Sequence, residues 1–169
     1  MRRALALLLV AAGLAGCGGT AADDVAPQAW LGEGRDTFEA RAPGETVSVF
    51  LGPQGGYMTF VAYRVTGIAP GNPGDPSSPD NPRAKVTCRL GTQVVGITSR
   101  RLGLKEVQPG LYEGVGTVLV FDPALDPSQY LGHEIEVALE VVDTEGHTAT
   151  ASVTVTTALA GRADLRPRR

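Results

Sequence analysis

Few residues in this chain could do chemistry, and its two cysteines come first. Cys17 closes the apolar run of MRRALALLLVAAGLAGC, and Cys88 sits in AKVTCRLG between Val86 and Leu90. A thiol reacts or ligates as thiolate, which needs a base or a helix N-terminus nearby. Neither is evident beside Cys88, so it reads as a small core hydrophobe together with Val137, Leu139 and Val141. His133 and His147 each follow a glycine, at opposite ends of an expected strand pair, so they are not expected to share a metal. A copper centre from Cys88, a histidine and Met58 would need those ligands in one compact loop, which the spacing does not give. Asp75 and Asp80, with Asn72 and Asn81, offer oxygen ligands for calcium, as do Asp122 and Asp126 in FDPALDP. Neither set has the spacing of an EF-hand loop, and carboxylates capping turn amides are the expectation. LGPQGG lacks the lysine and the following helix of a phosphate cradle. It reads as a hairpin turn, with Gln54 and Tyr57 as a candidate ligand-facing pair. No nucleophile elbow or HExxH helix is present, so no catalytic residue, resident metal or cofactor is expected.

The residues before Cys17 give that cysteine a purpose. Arg2 and Arg3 precede an uncharged stretch from Ala4 to Ala15. A spanning helix takes roughly 20 apolar residues, so this one is too short to cross and stay, and it reads as an export leader. Leu14-Ala15-Gly16-Cys17 follow in the order of a lipobox, and here the chain resembles exported bacterial lipoproteins. That resemblance implies a diacylglycerol on the Cys17 thiol, cleavage just before it, and acylation of the new amine. Two or more acyl chains anchor firmly where one holds marginally. Gly18, where an aspartate would favour inner-membrane retention, implies sorting to the outer membrane. The only cofactor-like group expected is this covalent lipid. With Cys17 acylated, Cys88 has no intramolecular disulfide partner.

Beyond the leader, residues 17–34 are small and polar and read as a flexible tether. Trp30 is its exception, clipping the tether to the domain or sitting near the lipid interface. Strand signals then follow one another through residues 35–158. ETVSVFLG, YMTFVAYRVTG, AKVTCRLG, QVVGITSR, YEGVGTVLVFD, EIEVALEVVD and HTATASVTVTT all alternate or run β-branched. In EIEVALEVVD, Ile135, Val137, Leu139 and Val141 fall on one face while Glu134, Glu136 and Glu140 fall on the other. Gly114 and Gly116 hint at a bulge, and Asp143-Thr144-Glu145-Gly146 at a tight hairpin. Five prolines in residues 69–84 bar that segment from a sheet and predict a long exposed loop. Seven or eight antiparallel strands without a long helix predict an all-β, two-layer sandwich. The closing VALEVVDTEGHTATASVTVTT resembles the last hairpin of bacterial immunoglobulin-like or fibronectin-like domains, which implies an immunoglobulin-like sandwich. The chain lacks the Cys…Trp…Cys core of antibody domains. LGPQGGYMTFVAYRVTG is similar to a segment of uncharacterised myxobacterial-type lipoproteins, a likeness that implies no activity.

The net charge of −3 becomes more negative once Arg2 and Arg3 are removed, which argues against a nucleic-acid partner. Residues 159–169 contain four arginines and one aspartate and read as a basic, disordered tail. The expected function is a membrane-anchored, non-enzymatic interaction or structural module of the cell envelope, with an envelope protein or polysaccharide as partner. Three alternatives are an accessory subunit of an envelope complex, a calcium- or carbohydrate-binding module, and an envelope-polymer hydrolase.

Overall fold

The computed structural model describes residues 25–160. They form ten strands and one short 3-10 turn at Pro127–Gln129. The strands are β1 (Gln28–Glu33), β2 (Glu39–Ala40), β3 (Thr46–Leu51), β4 (Tyr57–Thr66), β5 (Arg83–Leu90), β6 (Gln93–Arg101), β7 (Lys105–Gln108), β8 (Leu111–Val120), β9 (Glu134–Val142) and β10 (Thr148–Leu159).

Alternation decides which side chains meet. In β9 the four aliphatic residues are buried and the three glutamates exposed. In β4 Thr59, Val61, Tyr63 and Val65 point inward, each 6% exposed or less. Two sheets stack through these faces. One runs β2–β1–β4–β8–β7, and the other β3–β10–β9–β5–β6. The arrangement is that of an immunoglobulin-like sandwich: β4, β8 and β7 stand where strands B, E and D do, and β5, β9 and β10 where C, F and G do. Phe121 stacks on Tyr130 with ring centroids 4.5 Å apart, filling one end of the core. Burying each such large side chain stabilises by roughly 1.5–3 kcal/mol before ordering costs are counted.

The expectation of all-antiparallel pairing needs one correction. Thr46–Val49 of β3 runs parallel to Thr156–Leu159 of β10. Its last two residues, Phe50 and Leu51, then pair antiparallel with Met58 and Tyr57 of β4. One short strand thus belongs to both sheets. The strand count also exceeds the expected seven or eight. Residues 28–33, read as tether, form β1, which pairs along β4 from Gln28 opposite Thr66 to Glu33 opposite Val61. The hydrogen-bonding edge of β4 recruits them, whatever their weak local pattern. The proline-rich loop is shorter at its end than expected, because Arg83 and Ala84 already pair with Val142 and Val141.

After β1 the chain crosses the outer side of its own sheet. Gly34 N donates to Phe60 O at 3.3 Å, and Gly116 N donates to Gly34 O at 3.1 Å. Ala62 lies beneath this strap and is fully buried. The strap fits because β8 is bulged there: Val61 pairs with Thr117, but Tyr63 pairs with Gly114. Gly116 has φ +67°, and a Cβ on it would sit 2.8 Å from Arg35 O. Glu33 fastens the strap's base, accepting from Arg41 Nη2 at 2.9 Å and from Ser48 N at 3.1 Å.

The two ends of the domain lie at opposite poles. Gln28 opens β1 beside the end of β4. Leu159 closes β10 beside Val49, two residues before Leu51, which pairs with the start of β4. The length of β4 separates the poles by roughly 30 Å.

Candidate functional site

Cys17 lies outside the described residues. Cys88 is fully buried on β5, opposite Gly96 and Val137. Burial pushes its thiol pKa up to about 12, so the thiolate is scarce at neutral pH. Val137, Leu139 and Val141 share the same core face. A cavity of about 20 Å³ lies between the sheets near Cys88, lined by Leu31, Val47, Thr59, Ile135 and Val155. It is sized for about one water. Thr59 Oγ1, Tyr63 Oη and Thr117 Oγ1 are buried with no hydrogen-bond partner among the described residues.

The calcium candidates are spent on their own turns. Asp75 Oδ1 accepts from Ser77 N at 2.9 Å and Ser77 Oγ at 2.6 Å. Asp126 Oδ1 does the same with Ser128, at 2.9 and 2.7 Å. In both, the serine hydroxyl and amide hold the carboxyl below its ordinary pKa. Asp122 Oδ1 caps Ala124 N at 2.9 Å, and Asp80 is exposed in the same loop as Asp75. Asn81, fully buried, organises that loop: its Oδ1 accepts from Asn72 N at 2.8 Å and its Nδ2 donates to Asp75 O at 2.8 Å. Among the described residues no group of three or more His, Cys, Asp or Glu side chains is placed to hold a metal ion.

The histidines stand at opposite ends of β9, as the hairpin reading requires. His133 is exposed just before β9, and His147 follows the turn beyond it. His147 has a partner that local pattern did not reveal. Its Nδ1 lies 3.0 Å from Asp143 Oδ2. The Asp143 side chain has no exposed surface and also accepts from Ala69 N, Glu145 N and His147 N, each at 2.9 Å. Burial alone would raise its pKa, but the Ala69 amide, the His147 ring and the two hairpin amides outweigh it and hold the carboxyl low. Asp143 thus pins the start of the proline-rich loop to the β9–β10 hairpin. Aspartate in a turn is the only signal sequence offered; its burial is a tertiary fact.

Gln54 and Tyr57 sit at the other pole, in and just after the turn between β3 and β4. Gln54 is exposed, while Tyr57 is half-buried and makes a T-shaped contact with Tyr130, ring centroids 6.4 Å apart. Around them this pole shows more apolar surface than a sandwich end needs. Leu51 is 56% exposed, Leu159 58% and Val120 43%. Phe50 and Met58 are half-buried beside them, and Phe50 packs on Phe60 at 5.0 Å. By contrast the outer face of β5, β9 and β10 is polar, with Lys85, Arg89, Glu136, Glu140, Thr150 and Ser152 exposed.

No protein-family model matches this chain, and no curated protein matches it either. Among solved structures, the chain is similar to a DUF4466 family protein from Parabacteroides merdae. That match has 11% identity and a TM-score of 0.31 over 76% of this chain. The chain spans 43% of that protein's length. Among the described residues no helix is long and apolar enough to cross a membrane.

Proposed function

We propose that this chain is a lipid-anchored, non-enzymatic interaction module of a bacterial cell envelope, held at the outer membrane through Cys17. The observation that carries the reading is Leu14-Ala15-Gly16-Cys17 at the end of a charged-then-apolar leader, a short way before the first strand. Residues 18–27 reach at most roughly 36 Å when fully extended, so the anchor would keep the sandwich within a molecular diameter of the bilayer. Support for a binding rather than a chemical role comes from the titratable groups. The carboxylates of Asp75, Asp122, Asp126 and Asp143 cap amides, and the Cys88 thiol is shut in the core. A rigid sandwich with surface loops is then a scaffold for recognition.

Mass spectrometry of the protein from its own host tests the anchor. The mature N-terminus is expected to be Cys17 carrying a diacylglycerol thioether, and Cys17→Ser should release the chain from the membrane fraction. An unmodified N-terminus in the aqueous fraction would overturn the reading.

A further inference from the structure

The outer face of β5, β9 and β10 carries an open trough of about 540 Å³. Its floor is a row of short side chains in register across three strands: Thr87 pairs with Ala138, and Ala138 with Ser152. Its walls are longer side chains two positions before and after that row, among them Lys85, Arg89 and Glu140. The register sorts the walls into bands. On β5 both residues flanking the floor are cations, Lys85 and Arg89, and on β9 both are anions, Glu140 and Glu136. Beyond β9, Thr150 of β10 supplies a hydroxyl. Beyond β5, the edge strand β6 supplies Val94 and Ile97, 39% and 55% exposed, opposite Arg89 and Thr87. Apolar, cationic, anionic and hydroxyl bands thus follow one another at the spacing of neighbouring strands, roughly 5 Å. Lys85 lies opposite Glu140 and Arg89 opposite Glu136, yet none of the four makes an ion pair or a side-chain hydrogen bond with another described residue.

We infer that this trough binds a short zwitterionic peptide, with its ammonium over the β9 glutamates, its carboxylate over the β5 cations, and an apolar C-terminal side chain against Ile97 and Val94. The two charges of an extended dipeptide stand roughly 6 Å apart, close to the spacing of the bands. Charge complementarity selects this occupant. A polyanion would gain from β5 and be repelled by β9, and a polycation the reverse. No aromatic side chain lines the trough, so a sugar ring has no platform on which to stack. A second copy fits poorly, because two facing troughs would hold their short floors apart, where a stable interface needs about 800 Å² of closely packed surface per partner. The inference gives the interaction module a ligand class. It rests on that reading only in taking the molecule to recognise rather than to react, and it does not involve the anchor.

The test follows amide NMR spectra of the chain from Gly18 onward, which keeps all ten strands, as glycyl-leucine is added. Saturable shifts are expected at Thr87, Ala138 and Ser152, at low-millimolar concentration because each exposed charge pair is weak, and they should diminish with added salt. Acetylating the amine of the dipeptide or amidating its carboxyl should each weaken binding about tenfold. Changing Lys85 and Arg89 together to Gln, or Glu136 and Glu140 together to Gln, should do the same with an unchanged circular dichroism spectrum. Leucyl-glycine, which carries its side chain at the ammonium end and away from Ile97, should bind about threefold more weakly. Absence of saturable shifts up to about 50 mM would overturn the inference. So would equal binding of either blocked dipeptide, of leucyl-glycine or of glucose, or dimerisation abolished by the same substitutions. None of these outcomes bears on the anchor, and an unlipidated Cys17 would leave the shifts in place.

Discussion

Replacing Asp143 by asparagine is the sharpest probe of how the loop and hairpin are joined. One carboxylate oxygen accepts the amides of Glu145 and His147, and an asparagine carbonyl can keep both. The other oxygen accepts the Ala69 amide and faces the His147 ring. An NH2 there meets the Ala69 N–H donor to donor. Leaving one donor unsatisfied costs about 1–3 kcal/mol. The bonds that survive also lose their charge assistance, which makes ionic hydrogen bonds roughly twice as strong as neutral ones. We expect Asp143→Asn to lower unfolding free energy by about 3 kcal/mol with an unchanged urea m-value. His147→Ala removes a contact from a ring that is 52% exposed and should cost under about 1 kcal/mol. Urea titration followed by circular dichroism gives both values, and hydrogen exchange at Ala69 shows whether the loss is local. The sign with pH follows from the lowered carboxyl pKa. The native state binds this proton less readily than the unfolded chain, so the contribution is complete above the unfolded value of about 3.9 and fades as pH falls below it. The difference between wild type and Asp143→Asn should therefore shrink in acid. A variant within about 0.5 kcal/mol of wild type at pH 7, or unchanged exchange at Ala69, would refute the reasoning.

Burial raises the pKa of Cys88 to about 12 and raises that of Tyr63 above its ordinary value, so stability should hold below about pH 8.5 and decline above it as the unfolded thiol ionises; Cys88→Ala should flatten that alkaline limb in a pH series of melting curves. Tyr63→Phe removes a buried hydroxyl that has no partner among the described residues and should leave stability unchanged or raise it by up to about 1 kcal/mol by urea titration; a loss above 1 kcal/mol would reveal a partner for the hydroxyl. Gly116→Ala places a Cβ against the strap at positive φ and should cost at least about 2 kcal/mol, with increased proteolysis near Arg35. Millimolar calcium should shift the melting temperature by less than about 1 °C, since Asp75 and Asp126 already cap serine turns; a larger shift abolished by Asp75→Asn would reopen calcium binding.

Much of this fold is written in local alternation. β9 and β10 are legible because each residue's choice of face repeats the one before, and both strands pair along nine positions. The bulge at Gly116 and the hairpin at Gly146 are legible because each needs a positive φ, +67° and +89°. β7 is not legible, since all four of its residues are exposed and carry no period. β1, QAWLGE, has a weak local pattern, and only the free edge of β4 makes it a strand. The parallel union of β3 with β10 joins residues more than a hundred positions apart, and no local pattern encodes it. At the sites, the turn roles of Asp75 and Asp126 follow from a nearby serine. Asp143, Asn81 and the exposed leucine pair depend on distant segments meeting.

The sharing of β3 between sheets has a consequence for a nascent chain delivered N-terminus first. Val47 and Val49 emerge early, yet the strand that covers their backbone edge is the last to appear. Until it does, an apolar ribbon with unsatisfied amides stands open to any other extended polypeptide. A chaperone that holds such ribbons, or rapid delivery of the dozen residues of β10, would decide how much of the protein survives its own synthesis.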